Sequence, residues 1–112
     1  MTYAFTQDVP IDVSTYRRII DGLGPTPPEG LIVHLAIERQ EGGLRYLDVW
    51  ESEEHWERFA AERLHPVVHP VLMELIGAQP PEPPRTPLSA VDVWQGQTGH
   101  RPLAAATSGA GV

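Results

Sequence analysis

The sequence predicts a single α+β domain, an antiparallel sheet with helices on one face, in the order β-α-β-β-α-β. Three observations predict it. An amphipathic stripe of Tyr16, Ile19, Ile20 and Leu23 lies between two β-rich runs. A Glu41-Gly42-Gly43 turn signal joins two runs with strand character. The second of these runs, residues 44–51, passes straight into a helix start at Ser52.

In chain order, residues 3–8 carry β-type side chains and form the first strand. Asp12 is a good N-cap for the first helix. Gly22 and Gly24 end that helix, and Pro25, Pro27 and Pro28 forbid its continuation. Residues 31–39 and 44–51 are the second and third strands, a hairpin. Ser52 caps the second helix, with Glu53 and Glu54 in its first turn against the positive end of the dipole. Trp56, Phe59, Ala60, Arg63 and Leu64 mark its inner stripe. Pro66 interrupts the pattern, which resumes at Val68 and stops at Gly77, so a kink or break is expected. Residues 78–87 hold five prolines and read as a connector. Residues 88–95 alternate and read as the fourth strand. Residues 1–96 therefore make the domain. Residues 97–112, rich in Gly, Ala, Thr and Ser, are expected to be a flexible tail. The element order is the ferredoxin-like one.

Composition narrows the function. A net charge of −7 argues against nucleic acid, since a phosphate-binding face needs clustered cations, and the eight basic residues, all Arg, are scattered. No apolar run is long enough to span a bilayer. MTYAFTQDVP has no basic region followed by an apolar stretch, so no secretory leader is read and a cytoplasmic location is expected. There is no Cys and no Lys, which excludes thiol chemistry and a Schiff-base lysine.

Strand alternation sorts the side chains into two sets. One is aliphatic: Leu31, Val33, Leu35, Ile37, Leu47, Val49, Val91 and Val93. The other is ringed and ionisable, with His34, Tyr46, Asp48, Trp50, Asp92 and Trp94 beside Ile32, Ala36 and Ala90. The aliphatic set is expected to face the helices. The ringed set is expected to face a second copy of the chain, with a cavity between the two sheets. Placing His34 and Asp48 on one face requires an odd parity in the 40–43 turn, which a bulge with Gly in the left-handed region supplies.

The run Gly30-Leu31-Ile32-Val33-His34, the segment Tyr46-Leu47-Asp48-Val49-Trp50-Glu51-Ser52, and Trp56, Phe59 and Leu64-His65-Pro66 resemble the dimeric α+β barrel superfamily. The likeness is to its small members grouped with antibiotic biosynthesis monooxygenases, and it covers about residues 3–96. It implies a homodimer packed sheet on sheet, with a cavity between sheet and helices or at the barrel centre. It also implies cofactor-independent oxygenases or cyclases of aromatic polyketides among the relatives, beside haem-degrading enzymes. The Asn-Trp-His set of the latter is absent, because the chain has no Asn.

A carboxylate beside an imidazole fixes its tautomer and raises its basicity, so His34 with Asp48 is the candidate general base. The bland alternative is a buried His satisfied by a structural Asp. Tyr46, Trp50 and Trp94 are candidate stacking surfaces for a flat ligand, or simply a dimer core. Asp92 shares their face. His65 and His69 have metal-ligand spacing, but each precedes a proline and no third ligand is evident, so ligand contact at a cavity mouth is the reading and no metal is expected. The expected function is a homodimeric, cofactor-free enzyme that abstracts a proton from a small aromatic or polyketide-like molecule. The alternatives are a non-catalytic binder of haem or another planar ligand, and a purely structural dimer.

Overall fold

A computed structural model of the protein describes residues 2–96 and 99–103. Its elements are β1 (Tyr3–Val9), α1 (Val13–Leu23), β2 (Leu31–Glu38), β3 (Leu44–Trp50) and α2 (Glu53–Phe59), then a π-helical turn (Ala60–Leu64). They are followed by α3 (His65–Ile76), β4 (Arg85–Leu88), β5 (Asp92–Gln95) and β6 (Gly99–Pro102). The first four strands in sheet contact run β2-β3-β1-β4, all antiparallel, and β5 and β6 form a separate two-stranded sheet. This α+β architecture is compatible with the ferredoxin-like arrangement.

Local chemistry sets the boundaries. The Asp12 carboxylate accepts from the Thr15 N–H at 2.7 Å and caps α1. The Ser52 hydroxyl accepts from the His55 N–H at 3.2 Å and caps α2. Pro66 does not break the helix. Its ring displaces the carbonyl one turn back and it has no N–H to give. The chain absorbs this as a turn of π-helix immediately before it, where His65 N–H reaches back to the Ala60 carbonyl. His65 and His69 therefore sit on one continuous helix, with rings stacked 5.1 Å apart.

The hairpin loop is five residues long, with Gly42 at φ 103° and Gly43 at φ 76°. Both are left-handed positions that a side chain would strain. The odd loop length puts His34 directly opposite Asp48. A second irregularity lies between Leu31 and Val33, so that Leu31 pairs with Trp50.

Two expectations are corrected. The sheet strand following the helices is Arg85–Leu88, mostly within the proline-rich connector, and of residues 88–95 only Leu88 belongs to it. Pro87 is tolerated because β4 is an edge strand bonded to β1 alone. Gln7 donates to the Pro83 carbonyl at 2.7 Å, and the Arg85 guanidinium lies 3.7 Å over the Trp56 ring, which fixes this segment on β1. The alternating run after it instead forms a hairpin with Gly99–Pro102, within the expected tail. Residues 97–98 and 104–112 of that tail lie outside the described residues.

The second correction concerns the faces, which are inverted. The ringed set on β2 and β3 turns toward the helices. Phe5, Trp50, Trp56 and Ala60 form one core cluster there, with Tyr3, Leu31 and Phe59 around it. From Val33 onward the aliphatic set on β2 and β3 turns away, while the irregularity before Val33 reverses the alternation, so Leu31 faces the helices and Ile32 the other side. Ala4, Ile32 and Val49 form a second cluster, covered by Ala90, Val93 and Leu103 of the β5–β6 hairpin. Leu35 and Ile37, beyond the hairpin, are 48% and 46% exposed. The inversion has a physical reason: the polar atoms of His34, Asp48 and Trp50 satisfy one another, so the three can be buried under the helices together.

Candidate functional site

Asp48 is the organiser. It is buried, and both carboxylate oxygens are engaged. Oδ1 lies 2.7 Å from His34 Nδ1, across the β2–β3 ladder, and Oδ2 accepts from Trp50 Nε1 at 3.0 Å, two residues along the same strand. Period-2 alternation brings 48 and 50 to one face, and the hairpin parity brings 34 to it. An ionised carboxylate only accepts, so Nδ1 of His34 carries hydrogen. The neutral imidazole then has Nε2 as its acceptor. Nε2 lies 2.9 Å from the hydroxyl of Tyr16 on α1, which donates to it. The result is a chain, Tyr16–His34–Asp48–Trp50, spanning helix and sheet.

This chain forms part of the wall of a cavity of about 190 Å³ between the sheet and α1, α2 and the π turn. The rest of the wall is mostly apolar, with Phe5, Trp56 and Phe59 on one side and Ile19, Ile20 and Leu23 on the other, and Gln7, Thr26 and Arg63 among its polar members. The segment after α1, Gly24 to Pro28, closes one edge. Arg63, carried by the π turn, holds that segment. Its Nη2 donates to the Leu23 and Thr26 carbonyls at 3.1 and 2.8 Å, and its guanidinium lies over Phe59. Pro27 and Pro28 limit the segment's freedom further.

Tyr46 completes the polar corner, its ring centroid 5.1 Å from that of His34 and 5.8 Å from that of Tyr16. Burial pushes its phenol well above the ordinary tyrosine value, and negative charge on Tyr16 or Asp48 adds to the rise. Tyr16 is raised by burial first and by Asp48 second, with Arg17 opposing. Tyr3, on the far side of the core, is raised by burial, with Arg85 opposing. All three tyrosines of the chain thus hold their protons more tightly folded than unfolded. Folded values above the unfolded value of 10.0 contribute stability that is fully present below pH 10 and is lost as pH rises beyond it. Tyrosinate absorbance on alkaline titration is expected to appear together with loss of far-UV ellipticity. A full tyrosinate signal on an intact fold would refute this.

The site residues expected from the sequence divide into two groups. His34, Asp48, Tyr46 and Trp50 come together at the cavity. Trp94, 73% exposed, and Asp92 stand on the β5–β6 hairpin, outside the cavity wall. His65 and His69 lie on α3 outside it as well, with His65 Nε2 3.8 Å from a Glu82 carboxylate oxygen. Among the described residues, no cluster of three or more His, Asp or Glu is arranged to hold a metal ion. In the sequence Tyr16 is only a member of an apolar helix stripe. Its signal was a hydroxyl in the one stripe position that reaches the histidine. Arg63 was read as a stem along the stripe, and its cap on the segment after α1 was not foreseen.

No model of a known protein family matches the chain, and no curated protein matches it. Among the described residues no helix is long and apolar enough to cross a membrane.

Proposed function

We propose that the protein is a small-molecule enzyme of the cofactor-independent oxygenase or cyclase kind, abstracting a proton from an aromatic substrate held between sheet and helices. The observation that carries this reading is the Tyr16–His34–Asp48 chain set into a largely apolar wall. A general base works best when a second group fixes its tautomer and a dry site strengthens the contact. The proton leaves the substrate for the Tyr16 oxygen as Tyr16 passes its own proton to Nε2. The imidazolium that forms is stabilised by Asp48. The small cavity favours such a substrate over a tetrapyrrole, because pockets for drug-sized ligands already run to roughly 300–1,000 Å³.

The four-stranded antiparallel sheet, compatible with a ferredoxin-like arrangement, supports assembly as a dimeric α+β barrel, in which a second copy covers the outer sheet face. Exposed Leu35, Ile37 and Val91 are the apolar residues it would bury. Sedimentation of the double variant Leu35→Glu/Ile37→Glu should give a monomer where the parent gives a dimer. An unchanged dimer would move the interface elsewhere.

The test of the chemistry is solvent-deuterium exchange into the ring carbons of a panel of small phenols and quinols, activated by loss of the hydroxyl proton. His34→Ala should slow exchange by roughly 10²–10⁴-fold, the usual contribution of a general base. An unchanged rate would remove His34 from the reaction.

A further inference from the structure

Cavity size, the one-sided placement of its polar groups and the charge around them together define a ligand. We propose that the site takes a neutral molecule of one aromatic ring bearing a hydroxyl group, with the ring among Phe5, Trp50, Trp56 and Phe59 and the hydroxyl at Tyr16. This rests on the reading of the cavity as the working site, and it narrows the substrate class.

Size comes first. Apolar cavities of about 150 Å³ accept a benzene ring. A volume of about 190 Å³ leaves room for that ring and a small substituent, and too little for three fused rings. A polyketide-sized molecule would extend beyond this cavity, so a single ring is the better fit to it.

Charge comes second. Arg63 directs its Nη2 at the Leu23 and Thr26 carbonyls, so it is oriented to hold the segment after α1 rather than the polar corner. The buried carboxylate of Asp48 lies directly behind His34. An anionic ligand would meet that like charge where water screens poorly, within a protein of net charge −7. A benzoate is thus disfavoured although it fits.

Hydrogen bonding comes third. The Tyr16 proton is given to His34 Nε2, so what Tyr16 offers the cavity is an oxygen lone pair. At Tyr16 the ligand must donate, whereas the Tyr46 hydroxyl beside it can give a second hydrogen bond to the same ligand oxygen. A phenol donates, and its methyl ether of nearly the same shape does not. A phenol seated this way also places its acidic proton at the head of the chain that would remove it.

Calorimetric titration of the full chain with phenol, anisole, benzoate and a three-ring anthrol tests the proposal directly. Phenol should bind at least about tenfold more tightly than anisole, the value of one hydrogen bond. Benzoate and the anthrol should bind more weakly than phenol. In Tyr16→Phe, which keeps the ring, the preference for phenol over anisole should vanish while anisole binding persists. Equal binding of phenol and anisole to the parent protein, or tighter binding of benzoate or the anthrol, overturns the proposal. None of these readouts needs turnover. Selective phenol binding without proton exchange would uphold the ligand class and remove the base chemistry. Exchange on larger substrates without phenol binding would do the reverse.

Discussion

Trp50→Ala is expected to lower the unfolding free energy by about 3–5 kcal/mol, the usual cost of truncating a fully buried aromatic. Trp50 is 1% exposed, packs on Phe59 with ring centroids 5.3 Å apart, and carries the N–H that fills one oxygen of Asp48. The substitution opens a void and removes a donor from a buried carboxylate at once. Domains of this size are stable by only about 5–15 kcal/mol, so a large part of the total would go. Urea unfolding followed by ellipticity measures it. A loss below about 1 kcal/mol would mean that Trp50 is not the keystone of the helix-side core.

The second large effect separates architecture from chemistry at Asp48. Asp48→Ala strips the acceptor from His34 Nδ1–H and Trp50 Nε1–H, each at a cost of about 1–3 kcal/mol. Asp48→Asn nearly preserves shape and retains one acceptor oxygen. With that oxygen kept by the indole N–H, the amide NH₂ faces His34. The imidazole then shifts its proton to Nε2 and turns from acceptor to donor toward Tyr16. We expect Asp48→Asn to fold with less loss than Asp48→Ala and to lose proton abstraction as completely. Long-range ¹⁵N–¹H correlations of the His34 ring read the tautomer directly. The same tautomer in parent and Asp48→Asn would remove Asp48 from the role of proton organiser.

Much of this site was legible because it depends on parity. Alternation along 44–50 and the glycines at 42 and 43 suffice to pair His34 with Asp48. The face was misjudged because Asp, His and Trp count individually as half-polar, whereas Asp48 and Trp50 answer each other two residues apart and become buriable together. Tyr16 was hidden because a helix stripe scores its ring and ignores its hydroxyl. The short strand Arg85-Thr86-Pro87-Leu88 has no readable period, and a proline in it argues against a strand unless the edge is known. The kink or break expected at Pro66 takes the form of a π turn just before it: a single residue of slack absorbs the proline, and hydrophobic spacing does not record it.

That slack has a geometric consequence. A π turn is an α-helix with one residue too many, and each residue advances an α-helix by about 100°. Deleting one residue between 60 and 64 would restore regular pitch and rotate everything downstream by that angle. Val67, whose methyl lies where a side chain on Gly22 would begin, would swing away from α1, and the paired imidazoles at 65 and 69 would point in a new direction. The lodging of α3 against α1 is therefore dialled by chain length at one spot, which makes length there less tolerant of change than composition.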